Sequence, residues 1–467
     1  MFTYVRRLPL LRKLTLFPLV LLIVGAIDSI RNLPAAALFG SELIFFFLFA
    51  ALVFLIPAAL ISAELASALP RHAGIYHWVR VAFGEKLAML AIWLQWINTM
   101  IWYPTILAFI AGTFAYLIDP QLAAKPWYLI SMIVGVFWLL TLLNLWGIEV
   151  SAKINNYCSL IGMVFPMVFL ILLGVFWVIS GDPIQITFSK HSLLPIFTKP
   201  ASWISLIAII SSFLGIELSS VHVNEIEKPQ RNFPKAIAIA TPFILFSMLL
   251  GSLSIAIVLP MHDIRLVDGV MQVFTSFFEK FHMAPLTPVL ALLIVIGSFG
   301  SMINWLISPS KGLLQAAELG YLPTFFCKKN QHGVAINILL TQAVVVSLVC
   351  LVFLLLPSVN SFYWFLTDLS TELYLLMYLL MFFAALRLHY THQDRKGAFK
   401  IPGRTAGIWT VALLGIFGCL VTIGVGFVAP EHLDVGGAAR YALLILCGAV
   451  LMVSPVFLFY WYKKRSE

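Results

Sequence analysis

VGAIDSIRNLP, residues 24–34, sets an aspartate and an arginine three positions apart inside a run that is otherwise apolar, LTLFPLVLLI before it and AAALFG after it. A charge at the centre of a bilayer costs about 2.5–3.5 kcal/mol even on insertion scales, so Asp28 and Arg31 need a partner or a polar cavity. Gly25, Ser29, Asn32 and Pro34 crowd the same stretch. Together they predict a helix interrupted here. An interrupted backbone exposes N–H and C=O groups, which are tolerated at membrane depth only where they are buried in protein or line a cavity.

Composition establishes the solvent. Of 467 residues, 61% are hydrophobic and 10% charged, against about 45–50% and about 25% in soluble domains. Apolar runs long enough to span a hydrocarbon core of about 30 Å recur along the whole chain. We count twelve, at 15–38, 42–66, 86–117, 127–146, 157–179, 201–223, 235–259, 285–308, 333–356, 360–387, 407–428 and 438–462, in one all-α membrane domain. The first run lacks a small-residue cleavage site and is too long for a signal peptide, so it is read as retained. With both termini cytoplasmic, about 22 of the Lys and Arg residues fall on the inner side, from Arg6, Arg7, Arg12 and Lys13 to Lys463, Lys464 and Arg465, as the positive-inside rule requires. The net charge of +9 is thereby spread over loops facing anionic lipid, and no nucleic-acid partner is implied.

Catalytic and metal chemistry find little support. The five cysteines, Cys158, Cys327, Cys350, Cys419 and Cys447, show no CxxC spacing, which argues against a disulfide framework or a metal site. SPSKG at 308–312 lacks the spacing and the preceding strand of a phosphate loop. No cofactor and no metal are expected, and the chain is not read as an enzyme.

A second interruption is predicted in IISSFLGIELSSVHVNE, residues 209–225, where Ser211, Ser212, Gly215, Glu217, Ser219 and Ser220 crowd the sixth run. Broken segments in corresponding positions of two halves are the best sequence pointer to a transporter's binding site. The first and sixth runs correspond if 15–179 and 201–387 are two five-helix repeats of inverted topology, with 407–462 holding two accessory helices.

Four further stretches carry a family resemblance: ISAELASALPRHAGIYHWVRVAFG (61–84), FLGIELSSVHVNEIEKPQRNFPKA (213–236), PMHDIRLVDGVMQVF (260–274) and WLISPSKGLLQAAELGYLPTFFCKKNQHGV (305–334), with FKIPG (399–403) before the eleventh run. On these the sequence resembles the amino acid–polyamine–organocation superfamily, and within it the glutamate/γ-aminobutyrate antiporter group. The resemblance implies a five-plus-five transporter fold with broken helices 1 and 6, and alternating access. It implies exchange of an amino acid against a counter-substrate across a bacterial inner membrane. One departure is local: where the superfamily has GSGIFxxP, this chain reads IDSIRNLP, with Arg31 in the place of an aromatic residue.

For the site, the exposed amides of Asp28, Ser29 and Ile30 are expected to receive a substrate carboxylate, beside the positive end of the following half-helix. Ser211, Ser212, Phe213 and Gly215 are expected to offer carbonyls to its amine. Two readings of Asp28 and Arg31 stay open: mutual neutralisation that braces the break, or a cavity-facing pair that balances a zwitterion. Glu217 is either a cap on the broken backbone or a switchable, proton-responsive carboxylate. The resemblance adds Tyr374 and Tyr378 as gates over the substrate, while Asn304 and Trp305 would reach the cavity from the eighth run. Asp368 and Glu372, one helical turn apart, match nothing in the family and are placed toward the outer vestibule. A sensor that binds an amino acid without moving it is the alternative function.

Overall fold

In hydrocarbon a peptide group has no water to bond, so a spanning chain satisfies its backbone inside its own helix. The computed structural model describes residues 14–69, 74–146, 158, 160–391 and 398–466. Among these residues the secondary structure is helical, with two isolated bridges, Leu14 to Ile226 and Lys329 to Ala335, and no strand.

The principal helices are α1 (Leu16–Ile27), α2 (Leu33–Ala37), α3 (Leu43–Ala50), α4 (Ile56–Ala68), α5 (Ile75–Phe83), α6 (Glu85–Ala115), α7 (Pro126–Leu145), α8 (Phe165–Ile179), α9 (Ser205–Ser211), α10 (Pro229–Val258), α11 (Gly269–Lys280), α12 (Leu286–Glu318), α13 (Ile336–Cys350), α14 (Val359–Thr391), α15 (Arg404–Gly426), α16 (Ala438–Val453) and α17 (Pro455–Ser466). Ten helical stretches among the described residues are long and apolar enough to cross a membrane, and they follow ten of the expected runs to within several residues. The sixth run departs because it is broken: α9 has seven residues and gives way to turns. The eighth lies in α12, whose described apolar stretch is Leu286–Gly300. Pro70, in one of the family-like motifs, falls outside the described residues.

Burial sorts the helices. The stretches holding α6 and α14 are mostly enclosed by other helices, whereas Ala438–Lys463, at the end of the chain, turns most of its surface outward. Glycines set the closest approaches, as expected where helices pack without a hydrophobic drive between them. A Cβ built on Gly162 would run into the Cα of Gly297 on α12, and one built on Gly297 into the Cα of Gly162. Gly418 of α15 lies against the backbone carbonyl of Val53, in the π-helical turn Ala51–Leu55 that joins α3 to α4.

These contacts give a stability prediction. Gly297→Ala forces two backbones apart, so its loss in a detergent thermal-unfolding assay should be about 1–3 kcal/mol, the range for overpacking. Gly135, which has open space around its missing Cβ, should tolerate alanine with no loss, because alanine is the better helix former.

Candidate functional site

The first break is built by residues that do not favour helix interiors. Asp28 (φ −65°, ψ 113°) and Ser29 (φ −138°, ψ 111°) are extended. The Asp28 amide closes α1 by donating to the Val24 carbonyl at 2.7 Å, and bonding resumes where the Asn32 amide donates to the Ser29 carbonyl at 3.1 Å. The amides of Ser29 and Ile30 lie in the gap. Pro34, at the start of α2, has no N–H to leave unpaired and suits a helix beginning.

The second break follows α9. Gly215 sits at φ +103°, a left-handed conformation that only glycine adopts without strain. Its amide donates to the Tyr378 hydroxyl at 3.0 Å, and that hydroxyl donates in turn to Glu217 Oε2. Tyr374 donates to Glu217 Oε1 at 2.6 Å, and Gln95 Nε2 approaches the same oxygen at 3.4 Å. Glu217 is 1% exposed. Buried carboxylates persist when their oxygens are hydrogen-bonded, and here both oxygens accept from tyrosines of α14.

Between the breaks lies a cavity of about 60 Å³. The first break contributes Ser29, Arg31 and Asn32; α6 contributes Asn98, Thr99, Trp102 and Thr105; the second break contributes Ser211, Leu214 and Gly215; α14 contributes Thr367, Ser370, Thr371 and Tyr374. Arg31 is the one charged side chain in this lining. Its guanidinium donates to Thr105 Oγ1 at 2.5 Å and lies 4.8 Å from the centroid of the Trp102 ring. Tyr363 donates to the Arg31 backbone carbonyl at 3.3 Å. Arg31 Nε is buried with no hydrogen-bond partner, and among the described residues no carboxylate pairs with this arginine.

Asp28 and Arg31 do not form a pair. Asp28 Oδ2 accepts from Ser247 of α10 at 2.9 Å and its side chain is absent from the cavity lining, so both the mutual-bracing and the joint-cavity readings give way to a division between the two residues. The extended backbone at 28 and 29 is the reason, because residues three apart share a face only in a helix. Ile30, Ser212, Phe213, Glu217 and Tyr378 are buried behind the lining. Ser212 donates to the Ala208 carbonyl at 2.9 Å and Phe213 meets Phe47 edge-on. Ser29, Arg31, Ser211, Gly215 and Tyr374 reach the cavity. The side chains of Asn304 and Trp305 lie outside the described residues.

Sequence reading placed the span of α6 but missed its contribution to the cavity. Asn98, Thr99 and Thr105 were visible as polar residues inside an apolar run, NTMIWYPT (98–105), but no charge drew notice to them. Asp368 and Glu372 are also displaced from their expected place: they are 0% and 4% exposed and face α15 and α16, not an outer vestibule.

Comparison with known proteins adds an independent line. A family model described as amino acid permease matches residues 14–451. An uncharacterized transporter of Legionella pneumophila is 38% identical over 98% of both chains. A glutamate/γ-aminobutyrate antiporter of Lactococcus lactis is 29% identical over 98% of this chain and 92% of its own. A probable agmatine/putrescine antiporter, also of Lactococcus lactis, is 25% identical over 84% and 83%.

The tyrosine network predicts an order of sensitivity. Tyr378→Phe removes the acceptor of the Gly215 amide and a donor to Glu217, whereas Tyr374→Phe removes one donor. A buried polar group left unsatisfied costs about 1–3 kcal/mol, so thermal unfolding in detergent should show Tyr378→Phe as the more destabilised variant; the reverse order would contradict this account of the break.

Proposed function

The chain belongs to the amino acid permease family, and from that premise we propose that it exchanges an acidic or neutral amino acid for its decarboxylated product, as in glutamate against γ-aminobutyrate, by alternating access. The relatives named above are transporters or antiporters, which leaves the sensor alternative without support. The reading includes twelve spans in a bacterial inner membrane, both termini cytoplasmic, and two inverted five-span repeats in residues 15–179 and 201–387. What supports the repeat is the break in the first span beside the break in the sixth. Their cytoplasm-facing ends on this reading are joined, with the Glu227 amide donating to the Leu14 carbonyl at 2.9 Å.

One observation carries the substrate class: Arg31 is the sole charge in the lining, and no acid accompanies it. A buried cation without a counter-charge is costly, and a carboxylate on the substrate supplies one. Thr105 and the Trp102 face hold the guanidinium in place, which leaves the arginine fork for the bidentate geometry it favours. Glutamate and γ-aminobutyrate share a carboxylate. Putrescine and agmatine have none and would bring a second cation to Arg31, a repulsion that selects against them.

Ser29, Ser211, Gly215 and Tyr374 are then the remaining cavity contacts, with the amides of Ser29 and Ile30 as further donors. Glu217 works from behind them. Protonation of Glu217 would weaken what it accepts from Tyr374 and Tyr378, and through Tyr378 would loosen Gly215. Glu217→Gln should therefore flatten the pH dependence of uptake more than it lowers affinity at neutral pH; a pH profile identical to wild type would leave Glu217 as a structural cap.

The substrate reading is tested by counterflow in proteoliposomes loaded with glutamate, γ-aminobutyrate, glutamine, arginine or putrescine. Glutamate and γ-aminobutyrate should exchange, and putrescine should not. Arg31→Gln should weaken glutamate by about 10- to 100-fold, since a hydrogen bond to a charged group is worth about 1.5–3 kcal/mol and each 1.4 kcal/mol is tenfold. Putrescine or arginine as the best substrate would overturn the assignment.

A further inference from the structure

Asp368 and Glu372 take no part in the cavity. They stand one turn apart on the face of α14 that meets α15 and α16, while Thr367, Ser370, Thr371 and Tyr374 of the same helix face the cavity. Tyr441 of α16 donates to Asp368 Oδ2 at 2.5 Å. The other oxygen, Asp368 Oδ1, and Glu372 Oε1 are both buried with no hydrogen-bond partner. The two unpartnered oxygens converge: a Cβ built on Gly426 of α15 would meet Glu372 Oε1 first and Asp368 Oδ1 at 2.9 Å. Only glycine leaves room for them.

We propose that Asp368 and Glu372 form a proton-binding site, separate from the Glu217 network, in which a single proton is shared between Glu372 Oε1 and Asp368 Oδ1 over Gly426. Two carboxylates in one small buried space cannot both remain ionised, and holding one proton between them resolves the repulsion. That proton also supplies the donor that both orphaned oxygens lack. The surroundings offer no other neutralisation. α16 contributes the Tyr441 hydroxyl, and its neighbour Arg440 donates instead to the Leu355 carbonyl at 2.7 Å. α15 arrives with Gly426, and Asn98 of α6 accepts from Ser370 on another face of α14. Among the described residues no Lys, Arg or His forms an ion pair with either acid. A metal cation is the weaker occupant, because hard cations take about six or more oxygens and this corner presents two carboxylates and one phenol.

The site ties α14, whose other face lines the cavity, to the accessory pair α15 and α16. Loss of the shared proton would leave two buried like charges on one face of α14, and their repulsion and desolvation oppose the packing of that face against Gly426 of α15 and Tyr441 of α16. Gain of the proton removes that cost. The inference is independent of which amino acid is carried.

Infrared difference spectroscopy of the purified full chain between acid and alkaline pH tests it without substrate, so its outcome is separate from that of the counterflow assay. Wild type should show a protonated-carboxyl C=O band that shifts in heavy water. Asp368→Asn with Glu372→Gln should lose that band, and Glu217→Gln should keep it. Tyr441→Phe retains both acids and should raise the band's pH midpoint by about one to two units, the worth of a lost hydrogen bond to a charged group. A double variant with every wild-type band intact, an unmoved midpoint in Tyr441→Phe, or a band that follows sodium concentration at constant pH would each overturn the proposal.

Discussion

The constraint on which the site depends is the backbone of the two interrupted spans. A helix broken in an apolar medium leaves peptide groups without partners, each costing several kcal/mol if left bare. The chain meets this locally. Three-residue and longer 3₁₀ turns restart each span, at Ile30–Asn32 and at Leu218–Glu225. Side chains from elsewhere take part of the remainder: Tyr363 reaches the Arg31 carbonyl, and Tyr378 receives the Gly215 amide. Both tyrosines come from α14. The unbroken helix thus splints the two broken ones.

α14 accordingly presents three chemistries on two faces. One face carries the hydroxyls of Thr367, Ser370 and Thr371 toward the cavity and, further along the same stripe, the phenol pair Tyr374 and Tyr378 closing on Glu217. The other carries the acid pair against Gly426 and Tyr441. Polar groups in a spanning helix are expensive unless satisfied, so a helix with two polar faces must be enclosed on both. Its burial follows from that need, and α6, α15 and α16 supply the enclosure.

Outside the span limits the same logic is expressed through an ion pair whose aspartate is buried and whose arginine is half-buried. Asp268 accepts from Tyr116 at 2.9 Å and pairs with Arg265 at 2.8 Å, and Arg265 also donates to the Tyr116 hydroxyl at 3.0 Å. This triangle fastens the segment before α11 to the end of α6. Burial pushes the Asp268 carboxyl up from the ordinary aspartate range, while the guanidinium beside it and the Tyr116 hydroxyl oppose the rise. Gly112 completes the joint, since a Cβ there would press on Val267 and Asp268.

Local chemistry was legible in the sequence. Asp28, Ser29 and Asn32 disfavour a helix interior and Pro34 suits a helix start, which marks the first break, and Gly215 beside Ser211 and Ser212 marks the second by the same local preferences. The helical class, most of the spans and the family likeness follow from runs and motifs that need no distant partner. The direction each side chain takes was decided in three dimensions. Asp28 and Arg31 would share a face if helical, but the extended link between them sends one to Ser247 and the other to Thr105, residues 219 and 74 positions away. The helical spacing of Asp368 and Glu372 places them together without saying against what. That answer comes from Gly426 and Tyr441, because the neighbour a helix face meets is set by the packing of whole helices and not by the order of residues along one of them.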